Sequence, residues 1–117
     1  MSSSSPDTSA LVCVPGAIPA NERSKHFTLA QQLFHQTATE KRALKNGYEL
    51  RLPVAALPDV GRFILNERLC CPFVRFEITL DPEAEILRFS MTGPEGTREV
   101  LEAELSLRAK SCACAAC

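Results

Sequence analysis

The sequence has little net charge and lacks several motifs of common function classes. Its 13 basic and 14 acidic residues give a formal net charge of -1, so no general electrostatic attraction draws the chain to nucleic acid or to anionic lipid. It has no run of about 18 apolar residues, which excludes a membrane-spanning helix. It also lacks a Ser-His-Asp arrangement, a glycine-rich phosphate loop and a basic stripe with interleaved aromatics. Hydrolase, nucleotide-binding and nucleic-acid functions therefore have little support.

The composition suits one small domain. The chain has 117 residues, of which 45% are hydrophobic and 23% charged, and this length has room for one modest core. Residues 1–10 are polar and serine-rich, so we predict a disordered arm there, a single domain over 11–107 and a flexible cysteine-rich tail over 108–117. The N-terminal sequence lacks the charged region and uninterrupted apolar core of a signal peptide, which predicts a cytoplasmic location.

Apolar spacing and proline positions predict three helices. They are expected from Pro19 to about Thr37, from about Pro58 to an exit at Cys71 just before Pro72, and from about Pro94 to Leu107. Thr92 and Glu95 have the spacing of a capping box at the start of the third helix. His26 and His35 lie nine positions apart on the first helix, which turns them to opposite sides. We expect both histidines at the solvated surface.

Two hairpins are predicted between these helices. Asn46-Gly47 is typical of a two-residue turn between strands, and the segments FVRFEITL and ILRFSM alternate as a second strand pair. Their core-facing residues are predicted to be Tyr48, Leu50 and Leu52, then Val74, Phe76, Ile78 and Leu80, and finally Leu87, Phe89 and Met91. The order α-β-β-α-β-β-α predicts a two-layer α+β fold, an antiparallel sheet with helices on one face.

The six cysteines carry the chemistry that the sequence suggests. In a reducing cytoplasm, cysteines stay reduced unless they are catalytic, redox-sensing or metal-bound, so structural disulfides are not expected. Five cysteines form two groups, Cys70 with Cys71 and then Cys112, Cys114 and Cys117. Cys13 stands alone and is interpreted as a small apolar residue in an extended segment.

Cys70 and Cys71 are predicted at the carboxyl end of the second helix. The helix dipole is negative there and raises a thiol pKa, which disfavours a free nucleophile but matters less to a soft cation that displaces the protons. A bond between neighbouring cysteines would close a strained ring, so the pair is expected as a dithiol. The alternative is core packing, because free cysteine is among the most buried residue types.

The tail CACAAC, residues 112–117, separates its three cysteines only by alanines. Three thiolates on such a segment can surround one ion, and thiolates select Cu(I), Zn(II) and, by the same softness, Hg(II). We therefore predict metal ligands at Cys70, Cys71, Cys112, Cys114 and Cys117. The alternative for the tail is an inert, disordered end.

Glu67 lies one helical turn before Cys71 and has two interpretations. If the last turn of the helix frays, the carboxylate reaches solvent. If the turn is intact, the carboxyl group lies beside a thiol and could serve as a proton source. The second interpretation makes Cys70, Cys71 and Glu67 catalytic residues of a thiol-based enzyme.

The segments ERLCCPFVRFEI and TGPEGTREVLEAEL, together with AIPANERSKHF, resemble a family of uncharacterised small bacterial proteins. The resemblance spans about residues 13–105 and includes Glu67, Arg68, Cys70, Cys71, Pro72 and Phe73. It implies a coherent domain with a site near Cys70 and Cys71, and it implies no reaction. The tail lies outside the region of resemblance.

The sequence thus predicts a cytosolic soft-metal-binding protein that sequesters or passes on an ion. Its partners would be a metal ion or metal–thiol complex, a donor or acceptor protein, and a second copy of the chain along an exposed sheet face or edge. The alternative is an enzyme, either a thiol–disulfide reductant or an organometal-cleaving lyase. A third hypothesis is an interaction module in which the cysteines are incidental.

Overall fold

The computed structural model describes residues 11–106 and has the predicted α+β architecture. Its main elements are α1 (Ala20–Gln32), β1 (Glu40–Leu44), β2 (Gly47–Pro53), α2 (Leu57–Cys70), β3 (Arg75–Leu80), β4 (Ile86–Thr92) and α3 (Thr97–Leu105). A π-helical segment, Leu33–Thr37, continues α1, so the first helical region ends where the sequence predicts. The predicted arm at 1–10 and tail at 108–117 lie outside the described residues.

The two hairpins form one antiparallel sheet. The strand order is β1-β2-β4-β3, so β2 and β4 pair at the centre and join the hairpins. On these two strands buried residues alternate with more exposed ones, which places the core on one face of the sheet. Six of the predicted inward residues are confirmed as buried: Tyr48, Leu50, Leu52, Leu87, Phe89 and Met91. Phe34 and Phe63 from the helices pack against them. Val74 and Phe76 are partly buried against the core, whereas Ile78 and Leu80 are exposed.

The first hairpin turns one residue earlier than predicted. Leu44 pairs with Gly47, so the two-residue turn is Lys45-Asn46 and Gly47 is the first residue of β2. A side chain at Gly47 would overlap the backbone of Met91 and Thr92 on the neighbouring strand. The glycine is therefore required for close strand approach rather than for a left-handed turn.

The predicted capping box before α3 is wrong. Gly96 is the N-cap residue, with φ of 99°, and no side chain caps the helix. Only glycine adopts this left-handed conformation without strain, so the chain turns at Gly96 and α3 begins at Thr97 instead of Pro94. The Thr97 hydroxyl instead donates to the Pro94 carbonyl over 2.7 Å. The predicted end at Leu107 lies outside the described residues.

The end of α2 is confirmed. The helix runs to Cys70, and Cys71 is its C-cap, with φ of -124° and ψ of 78°. Cys71 leaves helical geometry because the residue before a proline avoids it. The backbone N–H of Cys71 still donates to the Glu67 carbonyl over 2.8 Å, so the last turn is intact.

The outer strand β3 is less covered than the centre of the sheet. By register Ile78 lies opposite Phe89 and Leu80 opposite Leu87, yet these two side chains are 37% and 49% exposed. The homodimer that the sequence predicts along a sheet edge stays a prediction. Within residues 11–106, no helix combines the length and the apolar character needed to cross a membrane.

Candidate metal centre

The last turn of α2 buries three groups that carry chemistry. Glu67, Cys70 and Cys71 are all 0% exposed. The interpretation in which Glu67 reaches solvent is therefore wrong. The intact turn directs its carboxyl group into the protein, because Glu67 falls on the same helical stripe as Val60, a core residue. The sequence-predicted group of Glu67, Cys70 and Cys71 thus lies in one buried place.

Cys13 reaches this place from the N-terminal segment, and it forms a disulfide with Cys71. The Cα atoms of the two residues are 4.7 Å apart and their separation along the chain is 58 residues. Two expectations are corrected here: Cys13 is not simply an apolar residue, and the described chain does contain a disulfide. No local pattern could reveal a pairing over such a separation. Cys70 keeps a free, buried thiol.

Contacts other than the disulfide also hold the N-terminal segment against α2. The N–H of Val14 donates to the carbonyl of Cys70 over 2.7 Å, and Ile18 is buried against Cys70 and Cys71. The Arg23 guanidinium of α1 donates to three carbonyls of the segment, with the shortest bond, 2.9 Å, to Ile18. Cys13 is therefore positioned by packing and hydrogen bonds as well as by its covalent bond.

Glu104 of α3 completes the cluster. Its two carboxyl oxygens lie 3.3 Å from the sulfurs of Cys70 and Cys71 respectively. The Sγ atoms of Cys13, Cys70 and Cys71 and a Glu104 oxygen all lie within 4.8 Å of one another. Sequence reasoning missed Glu104, since it is one of several glutamates on α3 and only the packing of α3 against α2 distinguishes it.

A second carboxyl group and a histidine continue the cluster inward. His26 Nε2 lies 2.7 Å from Glu67 Oε1, and both side chains are 0% exposed. The imidazole stacks on Phe63 with ring centroids 5.1 Å apart. The prediction of a surface position is wrong for His26 and confirmed for His35, which is exposed. Spacing predicts that the two histidines face different sides of the first helical region, but it could not show which side is packed.

Burial makes both carboxyl groups weak acids. It raises the pKa of Glu67 to about 7 and, together with a hydrogen bond to Glu67 and the charge of Glu67, raises the pKa of Glu104 to about 9. Glu67 Oε2 is buried without a hydrogen-bond partner among residues 11–106, so a negative charge on this carboxyl group would be unfavourable. The pair therefore holds a proton at neutral pH.

The thiol of Cys70 is also protonated at neutral pH. Burial, followed by the negative charges of Glu104 and Glu67, raises its pKa to about 12. Burial also lowers the pKa of His26, against the opposing effect of Glu104, which keeps the imidazole neutral. A thiol in this environment is a poor free nucleophile. The raised pKa matters less to a soft cation, because such an ion displaces the proton itself.

The described residues thus contain a group that could hold a metal ion: Cys13, Cys70, Cys71 and Glu104. Cys112, Cys114 and Cys117 lie outside the described residues. Comparison of the chain with protein-family models, with curated proteins and with solved structures finds no match. The resemblance to small bacterial proteins therefore stays a prediction, and function has to be argued from the geometry of the site.

Proposed function

We propose that the protein binds a soft, thiophilic metal ion through the thiolates of Cys13, Cys70 and Cys71, beside Glu104, and sequesters or transfers that ion. The observation that carries this proposal is the convergence of three sulfurs and one carboxyl oxygen within 4.8 Å. These four residues come from three separated parts of the chain. Their proximity therefore does not simply follow from being neighbours on one helix or loop. Bound metal would require the reduced form of Cys13 and Cys71.

The donor set favours soft ions. Thiolates select Cu(I), Hg(II) and Zn(II) over the oxygen-preferring Mg²⁺ and Ca²⁺. Cu(I) and Hg(II) accept two or three thiolates, whereas Zn(II) would take three sulfurs with Glu104 as a fourth, oxygen ligand. Each thiol loses its proton on ligation, so affinity should rise with pH. A reducing cytoplasm, which the sequence predicts, would keep the thiols available and belongs to this proposal.

The cysteine-rich tail fits a role in delivery or removal of the ion. Cys112 follows Glu104 by eight residues, since 112 minus 104 is 8, and eight extended residues span at most roughly 28 Å. Glu104 touches Cys70 and Cys71, so the chain length from Glu104 to Cys112 limits how far the tail thiols can lie from the site. Thiols tethered within that distance have a high effective concentration, which favours transfer of an ion between the tail and the buried cluster.

A metal titration of the reduced tail variant, the otherwise full-length chain with its three tail cysteines replaced, tests the proposal. The tail variant C112S/C114S/C117S isolates the buried cluster, and Cu(I), Hg(II) and Zn(II) are added separately without oxygen. We expect one ion per chain by native mass spectrometry, with thiolate charge-transfer absorption for Cu(I) and Hg(II). Adding C70S to the tail variant should weaken binding by at least 10-fold, whereas the surface control E99Q should not. Absence of binding by the tail variant with three titratable thiols would refute the proposal.

One observation favours organometal cleavage as a second function of the same site. Glu104, rather than the predicted Glu67, contacts the sulfurs of both Cys70 and Cys71, which are thiols once the disulfide is reduced. Two thiolates could hold the metal of an R–Hg⁺ substrate while the carboxyl proton passes to the carbon, so that R–H leaves and Hg(II) stays on sulfur. Reduced protein incubated with phenylmercury should then release benzene, and E104Q should bind mercury but release none. Equal benzene release by E104Q would contradict this role of Glu104.

A further inference from the structure

We propose that the Cys13–Cys71 disulfide is a redox lock on the metal centre, which excludes the ion when formed and is opened by a dithiol. This inference rests on the proposed metal-binding function and adds its regulation. The same two sulfurs take part in the disulfide and in the four-residue cluster. A sulfur in a disulfide has no thiolate to offer, so the two states exclude each other.

The locked state leaves too few ligands for a soft ion. Of the three cysteines in residues 11–106, only Cys70 retains a thiol, and Glu104 remains as a carboxyl neighbour at 3.3 Å. Zn(II) sites in proteins use three or four protein ligands, and Cu(I) and Hg(II) use at least two thiolates. Reduction restores three sulfurs at once, because Cys13 and Cys71 are released together.

A lock of this kind needs a third cysteine, because Cys70 and Cys71 do not readily bond to each other. Cys70 and Cys71 have sulfurs only 3.8 Å apart, but a disulfide between neighbours would close a strained ring. Cys13 lies within disulfide distance of Cys71 without that constraint, on a separate segment. It can therefore bond to Cys71 and leave the thiol of Cys70 unused.

The lock is accessible from one side. Cys13 is partly exposed, whereas Cys70 and Cys71 are buried. A thiolate of the dithiol attacks Cys13 Sγ, the S–S bond breaks, and its electron pair leaves on Cys71 Sγ, which takes up a proton. The second thiol attacks the mixed disulfide and releases Cys13. The dithiol loses two electrons and two protons and becomes a disulfide, while Cys13 and Cys71 gain them as two thiols.

Opening of the disulfide is also reversible, because the three sulfurs stay close together after reduction. The hydrogen bond from Val14 to Cys70, the burial of Ile18 and the contacts of Arg23 do not depend on the S–S bond. After reduction these contacts keep Cys13 beside Cys71, so the third ligand stays in position. Release of the ion then leaves two thiols that a small-molecule disulfide can rejoin: Cys13 and Cys71 lose two electrons and two protons, and that disulfide becomes two thiols.

The dithiol has two sources with the same chemistry: the cysteines of the chain's own tail, or a separate dithiol molecule. Full-length chain and the tail variant C112S/C114S/C117S distinguish them. Each is first reduced and then oxidised with one equivalent of diamide per chain, enough for a single disulfide, freed of oxidant and followed over time by peptide mapping. Opening in the full-length chain alone, with a new tail disulfide, identifies the tail. Opening of both only after dithiothreitol is added identifies a separate dithiol, and failure of dithiothreitol to open the bond in folded protein overturns the proposal.

Metal binding by the tail variant then tests the lock itself. Zn(II) and Hg(II) are added separately to its reduced and diamide-oxidised forms, and the retained ion is measured by native mass spectrometry in competition with a chelator. We expect the oxidised form to bind at least 100-fold more weakly and dithiothreitol to restore binding. The added substitution C13S should abolish the sensitivity to diamide, because Cys71 then has no partner.

The outcomes separate the two proposals. If the reduced tail variant binds neither ion, the proposed function fails and the lock fails with it. If reduced and oxidised forms bind equally, the site stands and the lock is overturned. The lock is overturned as well if C13S remains as sensitive to diamide as its parent, or if mapping of the oxidised tail variant finds no Cys13–Cys71 bond.

Discussion

The sheet–helix core and the cysteine cluster at the end of α2 both contain fully buried side chains, but of opposite kinds. The core contains aliphatic and aromatic residues such as Leu50 and Phe89, whose burial stabilises the fold. The cluster buries carboxyl groups, thiols and an imidazole, whose burial is unfavourable unless they are neutral or hydrogen-bonded. The comparison supports the proposal that the core serves stability and the cluster serves chemistry.

The largest expected effect on stability comes from the core. Phe89→Ala removes a fully buried ring that lies against Phe63 and Phe76, and we expect a loss of about 3–5 kcal/mol in the free energy of unfolding. Urea denaturation measures it. Metal stoichiometry of the molecules that remain folded should not change. If the fraction of metal binding that is lost exceeds the fraction of protein that is unfolded, core packing also affects the cluster, and the comparison fails.

The second effect is that of the disulfide. Cys13→Ser opens a loop with a sequence separation of 58, and restriction of the unfolded chain by such a loop contributes up to roughly 4 kcal/mol. We expect the oxidised wild type to exceed C13S by about 2–4 kcal/mol in urea. In dithiothreitol the two proteins should differ by about 1 kcal/mol or less. An unchanged difference in dithiothreitol would attribute the effect to packing of the Cys13 side chain instead.

The third effect is a dependence of stability on pH that the core cannot produce. Glu67 and Glu104 have raised pKa values of about 7 and about 9 in the folded protein. Their contribution to stability is therefore fully present below about pH 4.5 and is lost as the pH rises through these two values. Between pH 7 and 9 we expect the free energy of unfolding to fall by at most about 1.4 kcal/mol per pH unit for Glu104.

Glu104→Gln should flatten this decline, and Glu99→Gln on the exposed side of α3 should leave it as it is. Urea denaturation of the oxidised proteins at pH 7, 8 and 9 makes the comparison. The histidine does not contribute in this range, because burial lowers the pKa of His26 from 6.5. An equally steep decline in E104Q would show that Glu104 does not carry the extra proton.

The smallest effect is expected at the edge of the sheet. Leu80 on β3 is 49% exposed, so Leu80→Ser should change the free energy of unfolding by about 0.5 kcal/mol or less. A larger loss that grows with protein concentration would indicate that β3 is covered in a dimer. Sedimentation at several concentrations checks the oligomeric state directly.

The sequence predicted the fold well because its signals are local. Alternation on β2 and β4, and the proline after Cys71, each act over a few residues, and the structure agrees with them. The two errors of detail, at Lys45-Asn46 and Gly96, concern turns in which a close approach or a positive φ decides. Both glycines are visible in the sequence, but the close strand approach at Gly47 and the positive φ at Gly96 are not.

The site was only half predictable for the opposite reason. Cys70, Cys71 and Glu67 belong to one helical turn, so spacing along α2 could bring them together. Cys13, His26 and Glu104 come from other elements, and only tertiary packing places them beside that turn. In the sequence nothing distinguishes these three residues from surface residues, since they are a lone cysteine, a histidine on a helix and one glutamate among several.

X-ray absorption spectroscopy of the Zn(II)-loaded, reduced C112S/C114S/C117S variant tests the central claim most directly, since it counts the sulfurs around the ion. The account predicts three sulfur neighbours at about 2.3 Å and one oxygen or nitrogen neighbour at about 2.0–2.2 Å. A zinc ion surrounded only by oxygen and nitrogen, in protein whose three remaining cysteines are shown to be reduced, would contradict it.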